Sequence, residues 1–296
     1  MTVVIERAKD FRELAHFLTE LNNQKAFHIG YCGHKVEEIY ETLKADFVRE
    51  GQSTVLVAKN SKEKIEAAIG LDIDEESAEV WGPYNRNTSI NIQSLVWESL
   101  LQEYPTIETF YFFLNKENLK QQEFMKTIHA TKTGEYLILE IKKHTFQVVN
   151  ELKSTPYIQS DFDAFAMMHG QAFPNTYYNA ETIVSRLNEA CILKILKSES
   201  NEILGYAYYE VDSLIEEATL HYFAISPMTQ NQGYGTTLLK EVITEIFSFS
   251  EISEVKLCVD HTNAQANHVY FKVGFEEKDV LYSYRLNRNA TVNKFI

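Results

Sequence analysis

The stretch that most narrows what this chain can fold into is Ala218 to Leu239, ATLHYFAISPMTQNQGYGTTLL. Thr219 to Ile225 is rich in aromatic and β-branched residues, the composition of a strand. Pro227 has no backbone N–H, cannot donate to a continuing ladder, and so ends the strand. Gln230, Asn231, Gln232, Gly233, Tyr234 and Gly235 follow. From Thr236 to Phe247 the apolar residues Leu238, Leu239, Val242, Ile243 and Ile246 then fall at helical spacing. A strand, a glycine turn and a helix start in that order suit an anion. The first N–H groups of a helix lack a carbonyl partner within it and carry the positive end of its dipole. Glycines at 233 and 235 remove Cβ atoms that would hold a phosphate off the backbone. Two phosphate-binding patterns are excluded. No Lys-Ser/Thr pair follows Gly235, and Leu238 stands where a dinucleotide fingerprint needs its third glycine.

A second stretch lies downstream. Glu254 to Val259 reads as a strand, and Asn263 to Phe275, NAQANHVYFKVGF, as a helix stopped by Gly274. Thr262 and Gln265 are placed to form a capping box at its start. Together the two stretches resemble the GNAT superfamily of acyl-CoA-dependent N-acyltransferases. The first GNAT signature, Gln/Arg-x-x-Gly-x-Gly/Ala after a strand, is met by Gln230, Gly233 and Gly235. The second, Asn-x-x-Ala-x-x-x-Tyr-x-x-x-Gly-Phe, is met by Asn263, Ala266, Tyr270, Gly274 and Phe275.

The resemblance implies transfer of an acyl group, usually acetyl, from acetyl-CoA as co-substrate to a primary amine by direct attack. It implies that the pyrophosphate sits on the N–H groups of Gln230, Asn231, Gln232, Gly233, Tyr234, Gly235 and Thr236. It implies a pantetheine arm running beside Phe223, Ala224 and Ile225, with the Ile225 N–H polarising the thioester carbonyl. Asn263, in the signature that Ala266 shares, is expected to hydrogen-bond the pantetheine. Tyr270 stands where the family places its general acid; the alternative is a core aromatic beside Val269 and Val273. Histone-type members carry a glutamate on the strand before the glycine turn. Here that place is Thr219, which cannot act as a base. Strand alternation would put Glu217, Thr219, His221 and Phe223 on one face. His221 titrates in the useful range and is the first candidate base. Glu217, acting through a water, is the second, and Glu210 and His261 are further candidates. Against these stand plainer roles, a satisfied polar group for His221 and a solvated strand entrance for Glu217. Acceptor recognition is expected from His169 to Tyr178, an aromatic and polar connection between two helices.

The chain has 296 residues, a length that suits two ordinary domains. Its pattern of helices and strands occurs twice. In the first half the helices are Asp10 to Leu21, Lys35 to Val48, Asn91 to Gln102 and Leu119 to Ile128. The strands there are Thr54 to Ala58, Ile65 to Ile73, Ala78 to Trp81, Ile107 to Leu114 and Glu135 to Ile141. In the second half the helices are Gln159 to Ala172, Ala180 to Ala190 and the two already described. The strands are Cys191 to Leu196, Ile203 to Val211, Ala218 to Ile225, Glu254 to Val259 and Val280 to Arg285. Ile69-Gly70 and Leu204-Gly205 begin equivalent strands, and Thr145 to Leu152 is expected to open the second copy. This predicts an α/β (α+β) chain of two tandem GNAT-like domains, each a mixed sheet flanked by helices. The expected division is residues 1–144, degenerate, and 145–296, binding acyl-CoA. Gly82 to Thr88 in the first copy holds no Gln-x-x-Gly-x-Gly, so the first domain is expected to have lost the cofactor.

A net charge of −14 argues against a nucleic-acid partner, since phosphate contacts need clustered Lys and Arg. The expected partner is a small-molecule or peptide amine. Cys32, Cys191 and Cys258 are far apart and form no CxxC, so neither a disulfide nor a cysteine-rich metal site is expected and a cytoplasmic setting is the default. His28, Cys32 and His34 are metal ligands by type, but no fourth accompanies them, and a surface loop is the expectation. The first residues carry charges where a signal peptide needs an apolar core, and no apolar run is long enough for a bilayer, so no membrane is expected. Oligomeric state is written in no motif. The rival reading is a non-catalytic acyl-CoA-binding regulatory protein. A nucleotide-binding module leaves Asn263 to Phe275 unexplained.

Overall fold

The computed structural model describes residues 3–87, 91–174, 176–213 and 216–288. In chain order the first elements are β1 (Val4–Arg7), α1 (Phe11–Asn22), α2 (Val36–Asp46), β2 (Val48–Arg49), β3 (Gln52–Ser53), β4 (Val55–Lys59), β5 (Ile65–Asp74) and β6 (Ser77–Asn85). They continue with α3 (Asn91–Glu103), β7 (Thr109–Asn115), α4 (Leu119–Thr127) and β8 (Thr131–Lys142). The second half holds β9 (Ser154–Pro156), α5 (Phe162–Ala172), α6 (Ala180–Arg186), β10 (Cys191–Lys197), β11 (Ile203–Asp212) and β12 (Glu217–Ile225). It ends with α7 (Tyr234–Ile246), β13 (Glu254–Asp260), α8 (Ala264–Val273) and β14 (Glu276–Asn287). Among the described residues no helix is long and apolar enough to cross a membrane.

The chain forms two units. Unit 1 runs to Tyr136 and takes in the stretch from Asp279 on; unit 2 is Leu137–Lys278. The expected division near residue 144 is thus replaced by one at Tyr136/Leu137, and the last strand, from Asp279, counts with unit 1. The reason lies in the ladder, where Leu281 to Asn287 pair antiparallel with Asn115 to Thr109 of β7. A terminal strand's own sequence does not say which sheet edge it will join.

Unit 1 has the strand order β1, β4, β5, β6, β7, β14. All neighbours are antiparallel except β6 and β7, which are parallel. Its core gathers Leu14, Leu18 and Leu21 from α1, Ile39 and Leu43 from α2, and Trp97 and Leu100 from α3. Helix α1 starts because the Asp10 carboxylate accepts from the N–H groups of Arg12 and Glu13, each at 2.9 Å. β1 was not expected from sequence: four residues with two charges give little period-2 signal.

Unit 2 repeats the design, with β9, β10, β11, β12 and β13 in order and β8 beyond β13. Again only the inner pair, β12 and β13, is shown parallel, against antiparallel neighbours on the β9 side. Thr145 to Leu152 is not the strand it was expected to be. Phe146 packs on the end of α7 instead, its ring 5.7 Å from that of Phe247, and the Val149 N–H donates to the Thr244 hydroxyl at 3.1 Å. The opening strand is β9, fixed where the Ser154 N–H and Oγ donate to the buried Glu241 carboxylate at 2.7 and 2.6 Å. Gly205 lies near the start of β11, whereas Gly70 sits in the middle of β5, where a Cβ would come within 2.9 Å of Phe47.

Candidate active site

In unit 2, β12 and β13 are in register at Thr219↔Lys256. Beyond that point the end of β12 and helix α8 wall a cavity of about 280 Å³, lined on one side by Phe223, Ala224, Ile225 and Gly235 and on the other by Asn263, Ala266 and Val269. The C-terminal turn of α5, from Met168 to Phe173, closes it. A second hollow of about 510 Å³ continues from it over Gln230, Asn231, Gly233, Gly235 and Thr236. Of the expected cofactor residues, Gln232 and Tyr234 are not among these walls. Two residues that sequence reasoning did not single out, His268 and Lys272 of α8, are. They sit at helical spacing on the signature helix, which is the signal that could have found them.

The glycine turn makes the helix start that its sequence promises. Asn231 and Gly233 have φ of 62° and 90°, a left-handed conformation that favours glycine at the sharper position. Gly233 is the N-cap of α7, and the Thr237 N–H closes the first helical bond onto the Gly233 carbonyl at 3.0 Å. The N–H groups of Tyr234, Gly235 and Thr236 precede that bond and have no carbonyl within the helix. A Cβ on Gly235 would lie 3.5–3.8 Å from Ile225, Val269 and Phe223, filling the junction of the two hollows.

The edge of β12 facing the gap is free of ladder bonds. Ser226 N–H donates to the Leu204 carbonyl at 2.8 Å, flanking the Gly205↔Ile225 pair. In an antiparallel ladder this makes Ile225 a non-hydrogen-bonded position, so its own N–H and C=O turn away from β11, toward the gap. The Gln230 side-chain amide donates to that carbonyl at 3.3 Å. Phe223, two residues back, has the same sense.

Tyr270 lies on α8, 8% exposed, with its ring 6.2 Å from that of Phe223 and 5.7 Å from that of Phe275. Burial alone pushes its phenol far up, so it stays protonated through the neutral range. Asn263 is the N-cap of α8, its Oδ1 accepting from the Ala266 N–H at 3.1 Å. This replaces the expected Thr262–Gln265 capping box, since the Thr262 hydroxyl turns back to Asp260 at 2.6 Å.

Of the candidate bases, His221 and Glu210 lie on the sheet face that meets α5 and α6, but not with Phe223. β12 carries a bulge: Tyr209 opposes Leu220 and Tyr208 opposes Tyr222, which leaves His221 as the extra residue. The bulge resets the alternation, so Phe223, opposite Ala207, falls on the other face, beside Tyr270. This corrects the expectation of one shared face. His221 meets the Tyr177 hydroxyl at Nδ1 and Glu210 at Nε2, the latter at 3.8 Å. Its burial lowers its pKa, against the raising influence of Glu210. Glu210 is held bidentately by Arg186 at 3.0 and 3.1 Å and accepts from the Tyr208 hydroxyl. Glu217 faces Lys256 at 3.7 Å, in a cluster with Glu254 at the strand entrance. His261 is exposed in the loop before α8. The connection after α5 is anchored by His169, whose Nε2 donates to the Tyr178 carbonyl at 2.8 Å while Nδ1 accepts from Tyr206 at 2.6 Å.

In unit 1, His28 and His34 have ring centroids 5.1 Å apart, and Cys32 is buried. Among the described residues no group of three or more His, Cys, Asp or Glu is placed to hold a metal.

A sheet opened between two parallel strands, with a glycine-capped helix start at the opening, is the architecture of a GNAT fold. Residues 155–275 match the Acetyltransferase (GNAT) family model, and this segment belongs to that family. The chain is similar to [ribosomal protein bS18]-alanine N-acetyltransferases from Haemophilus influenzae, at 34% identity over 86 residues, and Haemophilus ducreyi, at 32% over 92 residues. These matches span 29% and 31% of this chain and 56% and 61% of those relatives. Among solved structures it is similar to a GCN5-related N-acetyltransferase from Sphaerobacter thermophilus. The TM-score is 0.76 at 13% identity, covering 97% of this chain and 96% of that one. A tandem GNAT protein from the clavulanic acid biosynthesis pathway matches with a TM-score of 0.67 at 11% identity, covering 97% and 98%. The likeness to these structures is one of fold, and it extends over both units.

Proposed function

We propose that unit 2 is an N-acetyltransferase that takes acetyl-CoA in the β12–α8 cleft and passes the acetyl group to a primary amine by direct attack. The observation that carries this reading is the Ile225 N–H turned toward a cavity, with a glycine-capped helix start that has no side-chain cap at one end and the buried Tyr270 phenol packed behind Phe223. The N–H groups of Tyr234, Gly235 and Thr236 would hold the pyrophosphate, with Lys272 on the opposite wall. The free edge from Phe223 to Ile225 would pair with the pantetheine amides, with Asn263 across the gap. Acetyl-CoA supplies an activated thioester. An Ile225 N–H aimed at its carbonyl oxygen would stabilise the developing charge by about 3 kcal/mol. Tyr270 would give its proton to the departing thiolate, for which a phenol kept protonated by burial is suited. His221 is the favoured sink for the amine's proton, over Glu217, whose carboxylate is engaged with Lys256.

The acceptor class follows from the relatives. They are alanine N-acetyltransferases of the ribosomal protein bS18, and we read the acceptor here as a peptide α-amine, with a small-molecule amine as the second choice. The test is acetyl-CoA turnover over peptides beginning with alanine and other small residues, beside polyamines and aminoglycosides. Transfer to the peptides supports the reading. CoA binding without transfer to any amine would leave a regulatory acyl-CoA-binding protein, and absence of CoA binding would sink both.

A further inference from the structure

The contacts around His221 assign more than a base. Glu210 faces His221 Nε2 at 3.8 Å, too long for a direct hydrogen bond, but its negative charge favours the tautomer that carries the ring proton on that side. That leaves the lone pair on Nδ1, which takes the hydrogen bond of the Tyr177 hydroxyl. Nδ1 is therefore occupied, and an amine arriving from solvent on that side meets Tyr177 before it meets His221. Tyr177 is 67% exposed, whereas the His221 side chain is 19% exposed. Glu210 is itself held from behind, by the bidentate Arg186 guanidinium and by the Tyr208 hydroxyl.

We infer that Tyr177, His221 and Glu210 form a proton relay, in which Tyr177 touches the acceptor amine and Glu210 positions His221. This rests on the reading that unit 2 acylates an amine. The step balances without a further reactant. The ammonium of the acceptor gives one proton to the Tyr177 oxygen as the Tyr177 proton passes to His221 Nδ1. The products are a neutral amine, an intact phenol and an imidazolium facing the Glu210 carboxylate. The relay resets by the reverse shift to water, because the phenol is open to solvent. Tyr177 is thus a catalytic residue, and Glu210 a positioning residue that acts through the ring.

The groups facing His221 are Tyr177 and Tyr178 from the α5–α6 connection, Arg186 from α6, Tyr208 and Glu210 from β11, and Tyr222 from β12. The first measurement needs no acceptor. ¹⁵N spectra of the histidine-labelled full chain should show His221 as the Nε2–H tautomer, and Glu210→Gln should lower its titration midpoint. An Nδ1–H tautomer would overturn the relay. The second is kinetic, with an alanine-initial peptide as probe. Tyr177→Phe should lower kcat about 100-fold while leaving the KM for acetyl-CoA unchanged. Glu210→Gln should move the acidic limb of kcat/KM with the NMR midpoint. Undiminished kcat in Tyr177→Phe overturns the relay. If the wild-type chain acetylates no peptide, the acceptor assignment fails, and the tautomer alone decides the relay.

Discussion

The two units open their sheets at the same place and fill the opening differently. In unit 1, β6 and β7 pair in parallel through Glu79↔Tyr111. Beyond that, the chain's own segment from His28 to Gly30 lies along β7. Gly30 N–H donates to the Phe113 carbonyl at 2.7 Å, Asn115 N–H donates to the His28 carbonyl at 3.1 Å, and Ile29 bridges Leu114. Lys116 N–H bonds the Val280 carbonyl of β14 at 2.9 Å, so the Phe113 and Asn115 groups point the other way, to the β6 side. The Asn22 side-chain oxygen ties this plug down, accepting from the Ile29 N–H and the Tyr84 hydroxyl. Gln121 of α4 reaches across to the Pro83 carbonyl. In unit 2 the corresponding opening, past the parallel pair β12–β13, is a cavity walled by the end of β12 and α8. An open parallel pair leaves backbone groups needing partners. Unit 1 meets that need with its own chain, and in unit 2, on the proposed function, acetyl-CoA would meet it.

The sharpest way to break this contrast is to count and then abolish cofactor binding. Calorimetry should give one CoA per chain, and two would refute the plugged reading of unit 1. Gly235→Glu should lower CoA affinity at least 100-fold, since it puts bulk and negative charge where the phosphates would lie. The same carboxylate at a helix N-terminus favours the helix by about 0.3–1 kcal/mol, so the melting temperature should hold or rise. Loss of both affinity and stability would point to a misfolded turn instead.

Next in size is Tyr270→Phe. Removing the phenol oxygen should cut turnover by about 10²–10³-fold with acetyl-CoA affinity unchanged, as expected for a general acid. Stopped-flow turnover against equilibrium binding separates the two, and unaltered turnover returns Tyr270 to the core beside Phe223 and Phe275.

On the unit 1 side, Gly30→Ala sharpens the comparison. Its Cβ would run into the Phe113 ring and the Leu281 side chain, both packed in the same unit. Overpacking of this kind costs about 1–3 kcal/mol, readable in urea unfolding, with CoA affinity in unit 2 untouched. A milder probe of unit 2 is Asn263→Ala, which loses the α8 cap at a cost of about 1 kcal/mol.

The sequence carried the open half of this contrast better than the closed half. Gln230, Gly233, Gly235, Asn263 and Tyr270 lie close together in the chain, and a strand–turn–helix unit fixes their relative geometry locally. The plug could not be seen that way. His28 to Gly30 meets Phe113 and Asn115 across more than eighty residues, through backbone groups that any side chains could accompany. The bulge at His221 was hidden for a related reason. Alternation in β12 looks regular in the burial of its residues, and only the register against β11 shows that one residue is extra. Glu210, which faces His221, and Arg186, which holds Glu210, come from β11 and α6, and no spacing joins them. The exchanged final strand was illegible because edge complementarity, not composition, decides where it pairs.

The smallest expected effect is on acid stability, and it again separates the units. His169 and His221, both in unit 2, have pKa values lowered from 6.5 by burial. In the folded chain they stay neutral where the unfolded chain would bind protons. Since the unfolded state then binds more protons, stability rises with pH across that window and is lost as pH falls below 6.5 toward the folded values. Urea unfolding midpoints followed by a probe in each unit should fall on acidification for unit 2 first, and His169→Gln should flatten that dependence. His169 donates to the Tyr178 carbonyl and accepts from Tyr206, a pattern that only the neutral ring satisfies. An equal acid response from both units would show that the buried histidines of unit 2 do not set it.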